Sequence, residues 1–227
     1  MSAPTLESVD RDGALTEAIG ELCGSTRAGF LRSVALGGAA MLEALATPAL
    51  AAPPDDTTIL NFGLRFERLQ ATFYTQADEM GTIASMSAAK REWAHTLGAH
   101  ERAHVKIIKQ VLGRKAEGRP TFDFGQANET EQAFTKTAVA MEDLTVALLA
   151  GVTPAVRDRG LTAALLGLLT VEARHAAWAR HIAGSTPAPK ALDQAKTLHQ
   201  VQGVIARTRF VAQAPRTSSR RSPRFTG

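Results

Sequence analysis

A chain of 227 residues, 44% of them hydrophobic, is long enough for one domain of ordinary size with tails. Its single cysteine, Cys23, excludes an intrachain disulfide and a metal held by several thiolates. The net charge of +4 equals the contribution of Arg216, Arg220, Arg221 and Arg224 in an acid-free end, so the remainder is near neutral and gives no electrostatic footprint for nucleic acid.

Residues 1–24 are mixed and rather acidic. From Ser25 the text changes: Thr26-Arg27-Ala28-Gly29-Phe30-Leu31-Arg32 leads into a small-residue apolar run that ends in Ala49-Leu50-Ala51. A basic edge, an apolar stretch and an A-x-A ending have the order of a secretory signal. The basic edge is similar to a twin-arginine export motif, with Ala28 where the second arginine belongs. Residues 1–51 are therefore expected to be an export leader, delivering the rest to the periplasm or beyond. A stable membrane span is not expected, because Glu43, Pro48 and the glycines interrupt the run.

Asp55-Asp56-Thr57-Thr58 predicts a helix start, and a 3.6-residue apolar period runs to about Met80 before Gly81. A second helix is predicted from Ser87 to Leu112, stopped by Gly113. Gly113 to Asn128 is the one long irregular stretch and reads as a crossover between helices. A third helix, capped at Asn128 or Thr130, runs to Ala150 ahead of Gly151. A fourth starts at Pro154 or Asp158 and closes at Gly184. Lys190 to Phe210 reads as one more short helix, and residues 211–227 as a basic disordered tail. No convincing strand alternation occurs, so the fold class is all-α.

Two helices carry the same pattern on an apolar face. In Glu101-x-x-His104 and Glu172-x-x-His175 the acid and imidazole lie three apart and so share a face. Around the first are Ala94, Leu97, Gly98, Val105 and Ile108; around the second, Leu165, Leu168, Leu169, Ala176 and Ala179. Two further apolar faces each carry one acid: Glu67 among Leu60, Gly63, Leu64, Ala71 and Tyr74, and Glu142 among Thr135, Ala138, Val146 and Leu149. A single buried Glu-His pair is ordinarily a satisfied hydrogen bond, but the pair occurs twice and an acid on an apolar face occurs on four helices, at similar heights.

Four carboxylates in a dry helical core need compensation, which two divalent cations supply, with two neutral histidines completing the ligand sets. Oxygen ligands with one imidazole per ion suit iron or manganese, although zinc also binds such sets. His95, His100, His181 and His199 lie off this stripe or beyond the bundle and read as ordinary histidines. Asp143 reads as a surface acid and Tyr74 as a packing residue.

The order Glu67, Glu101-x-x-His104, Glu142, Glu172-x-x-His175 resembles the ferritin-like di-iron or di-manganese carboxylate proteins. Leu60 to Glu67 and Val171 to Trp178 are similar to the exported ferritin-like domain family that includes desiccation-related proteins. The resemblance implies a ferritin-like four-helix bundle with one long crossover and a short C-terminal helix, within a domain of residues 52–210. It also implies that Glu101 and Glu172 bridge two metals, that Glu67 and Glu142 bind one each terminally, and that His104 and His175 each cap one. The function implied is redox chemistry on dioxygen or peroxide, or stress protection. The alternative is a non-enzymatic metal-binding or desiccation-related structural protein. Assembly into an oligomer is compatible with either.

Overall fold

The computed structural model describes residues 54–212. The expected leader over 1–51, with Cys23, and the arginine-rich end from residue 213 lie outside the described residues.

Five α-helices are present among the described residues: α1 Asp56–Glu79, α2 Ala88–Leu112, α3 Glu131–Val152, α4 Arg159–Ile182 and α5 Leu198–Thr208. Their ends follow local chemistry. Gly81 and Gly113, just beyond α1 and α2, have φ of 79° and 54°, a left-handed conformation that glycine adopts without steric cost. Thr130 Oγ1 accepts from the Ala133 N–H at 3.2 Å, so the threonine, not Asn128, caps α3. Asp158 caps α4, its carboxylate accepting from the Leu161 N–H at 2.8 Å. The Asp56 carboxylate in turn accepts from the Arg157 and Asp158 N–H groups at 2.9 and 3.0 Å.

Two expectations need correction. The last helix does not begin at Lys190: residues 190–197 are non-helical, because the Lys196 N–H donates to the Ala147 carbonyl at 2.8 Å and holds this segment along α3. Gly151 does not stop α3, which continues to Val152. A Cβ at Gly151 would lie 2.1 Å from the Lys196 carbonyl oxygen, so the glycine makes room for that segment.

The chain divides into two compact units. One comprises, among described residues, 57–141 and 198–212. Its core is aromatic: Phe73 stacks on Phe134 at 5.0 Å, and Tyr74 and Trp93 meet Phe134 edge-on at 5.6 and 5.7 Å. Such arrangements suit the ring quadrupoles. The crossover is fastened to α1 and to the residues that follow α5. Asn61 donates to the Lys115 carbonyl and accepts from the Glu117 N–H, while Arg68 Nη1 donates to the carbonyls of Glu117 and Gly118. Phe122 and Phe124 are buried, and the Asp123 and Ala212 N–H groups donate to the carbonyls of Phe210 and Thr121, so the chain stays paired as far as Ala212.

The other unit comprises 54–56 and 142–197. Val146, Leu148, Leu149 and Val152 of α3 and Leu165, Ala176 and Ala179 of α4 are buried. The apolar helix from Glu131 to Ala155 meets the length and composition of a membrane span, but 67% of its most apolar window is buried in the fold, as in a core helix.

Candidate metal centre

Each unit contains two glutamates and one histidine brought together on buried helix faces. In the first, α1 supplies Glu67 and α2 supplies Glu101 and His104. His104 Nδ1 lies 3.3 Å from Glu67 Oε2 and 3.6 Å from Glu101 Oε2. In the second, α3 supplies Glu142 and α4 supplies Glu172 and His175. His175 Nδ1 lies 3.6 Å from Glu142 Oε2 and 3.4 Å from Glu172 Oε2. Within each trio the ligand atoms lie no more than 4.8 Å apart.

These separations decide what the trios can do. A good N–H···O hydrogen bond is about 2.7–3.2 Å long, so the four contacts are long for that purpose. Two donor atoms each about 2.0–2.2 Å from a shared divalent ion stand roughly 3–4.2 Å apart, and the four contacts fall in that range. The donor chemistry also fits: each trio has two hard carboxylates and one borderline imidazole, the set that suits iron or manganese.

Helix geometry explains the convergence. In both Glu-x-x-His motifs the i,i+3 spacing puts the two side chains on one face. Glu67 and Glu142 each lie eleven residues after the first residue of their helices, and Glu101 and Glu172 thirteen, a closer agreement in height than the expected starts gave. The four glutamates are between 0 and 2% exposed, and His104 and His175 are 8 and 3% exposed. In such a setting an ionised carboxylate carries a large desolvation cost that a cation offsets.

The other histidines are arranged differently. His95, His100, His181 and His199 are exposed, and His95 Nε2 faces Asp78 Oδ1 at 3.2 Å. Asp143 is neither an open surface acid nor a partner of a ligand histidine, since its carboxylate pairs with Arg180 Nη2 at 2.8 Å. Tyr74 is fully packed among Phe73, Trp93 and Phe134.

Sequence reasoning passed over the positioning role of Gly98. A Cβ there would meet Tyr74 Cβ at 2.9 Å, so the glycine sets how closely α2 approaches α1, one turn before Glu101. A glycine inside an otherwise uninterrupted helix was the available signal.

A search of curated proteins found none that matches the chain. The family model described as a ferritin-like domain matches residues 55–185, more than half of the chain and all four long helices. The family fold is the all-α bundle expected from the helix pattern, and the matched span contains both buried carboxylate and histidine clusters, which are compatible with metal binding. The chain belongs to the ferritin-like domain family.

Proposed function

We propose that the protein binds two divalent ions, iron or manganese, through Glu67, Glu101, His104, Glu142, Glu172 and His175, and uses them in redox chemistry on dioxygen or peroxide or in protection against stress. The observation carrying this reading is that each unit presents two buried carboxylates and one imidazole at separations suited to a shared ion. In the proposal Glu67, Glu101 and His104 would hold one ion, and Glu142, Glu172 and His175 the other. Two bound ions of this kind would supply two-electron exchange with a small oxidant. The glutamates, with two oxygens each, would adjust their contacts as charge changes, while the surrounding apolar side chains exclude bulk water.

Metal content by mass, measured with oxygen uptake on adding ferrous ion, tests the proposal. Two ions per chain and uptake abolished in Glu101→Ala are expected. A metal-free chain, or full turnover in that variant, would overturn it.

A second reading is favoured by a separate observation. The six proposed ligands are all buried, none more than 8% exposed. A centre so enclosed suits a metal that fastens helices together without turnover, in a desiccation-related or other structural role. Metal retained at two per chain with no oxygen or peroxide activity would favour that reading.

We further propose export through the leader in residues 1–51. Amino-terminal sequencing of the protein from the periplasm should begin near Ala52, whereas a full-length chain confined to the cytoplasm would refute export.

A further inference from the structure

We propose that the groove between α1, α2 and the crossover, lined by Arg68, Arg102, Lys109 and Arg119 with the hydroxyls of Thr72 and Thr75, binds a small phosphate-bearing anion. This inference is independent of the metal centre.

The described residues 54–212 carry a net charge of +3, from 19 Lys and Arg against 16 Asp and Glu, and part of it is concentrated locally. Four cationic side chains and no carboxylate line this cavity of ≈ 330 Å³, with Ala71 and Val105 completing its wall. That size is at the small end of the range of about 300–1,000 Å³ found for ligand sites. Among the described residues, none of the four cations forms an ion pair with an acid. The nearby carboxylate of Glu117 is paired with Arg65 at 2.6 Å and is not part of the lining.

Three of the four cations are held by neutral acceptors. Arg68, 8% exposed, donates through Nη1 to the Glu117 and Gly118 carbonyls at 2.8 Å each. Arg119 Nη2 donates to Thr72 Oγ1 at 2.9 Å, and Arg102 Nη1 contacts Thr75 Oγ1 at 3.4 Å. Hydroxyl and carbonyl oxygens orient a guanidinium without neutralising it, so the charge stays available to a ligand.

Burial first, then repulsion from Arg119, pushes the pKa of Arg68 down, with Glu117 acting the other way. The guanidinium stays protonated near neutral pH. An anion seated among the four cations would relieve that repulsion. Phosphate suits the lining because its dianion offers several acceptor oxygens, which planar guanidinium groups engage two at a time.

The test is calorimetric titration of the full chain with inorganic phosphate and, separately, glycerol 3-phosphate, with citrate and chloride as comparators. Arg119→Gln and Lys109→Gln keep the Arg68 contacts that fasten the crossover. Each is expected to weaken phosphate binding about tenfold. Metal content should remain unchanged, which separates the groove from binding at a metal. Tighter binding of glycerol 3-phosphate would identify the ligand as a phosphate monoester, and equal or weaker binding would identify it as free phosphate. No heat from either at millimolar concentration, an unchanged phosphate affinity in both variants, or equal affinity for citrate would overturn the proposal.

Discussion

Two residues show how a side chain, or its lack, sets the local balance. Gly98 lies inside α2, where alanine would ordinarily gain up to about 1 kcal/mol in helix propensity. Here the added methyl meets the β-carbon of Tyr74, a backbone-proximal atom unable to swing aside, and overpacking of that kind costs about 1–3 kcal/mol. Gly98→Ala is therefore expected to lower stability in urea denaturation, and a gain would show that the helices separate freely. Asp143 shows the charge side. Burial raises its carboxyl above the ordinary value while Arg180 opposes the rise, so the folded chain keeps this proton to higher pH than the unfolded one. Its contribution to stability is full below about pH 4 and is lost as pH rises through the shifted value. Asp143→Asn lacks that loss. The melting temperature of the variant minus that of the parent should increase between pH 4 and pH 7, and a difference that shrinks would contradict the assignment. The six candidate ligands were legible in the text because acids on apolar helix faces are costly. The basic groove was not, because its members come from α1, α2 and the crossover, and no periodicity joins Arg68 to Arg119.

The helix limits were legible to within a residue or two wherever punctuation is local. Gly81, Gly113 and Asp158 act on neighbours in sequence, and α1 and α2 end and α4 begins beside them, whereas Ser87 precedes α2 without a side-chain capping bond. Where a distant partner decides, sequence reasoning failed: residues 190–197 are drawn out along α3 by a hydrogen bond to Ala147, which no local pattern reveals. The cap of α4 gives a direct test of local punctuation. Asp158→Ala removes the acceptor of the Leu161 N–H, and loss of such a cap costs about 0.5–2 kcal/mol. A change below that range would mean that Asp56, which binds the N–H groups of Arg157 and Asp158, already secures the turn. The crossover also departs from its expected character, since Asn61 and Arg68 bind it to α1 along much of its first half.

For the molecule as a whole, the helical periodicity announced an all-α chain, and the family match over residues 55–185 agrees. That periodicity does not say how the buried carboxylates are compensated. If the proposed ions are present, chelation removes from each buried trio the cation that offsets the desolvation of its carboxylates. It should lower the melting temperature by more than about 5 °C in scanning calorimetry. A chelated protein melting with the untreated one would mean that the acids are compensated by the protein itself. The segment before α5 has a wider bearing. Its carbonyl at Lys196 occupies the space a methyl group would take at Gly151, so neither can vary alone. In a collection of descendants, any chain that loses the glycine should also have lost or rerouted the segment. That joint inheritance could be read from genomes without purifying a single protein.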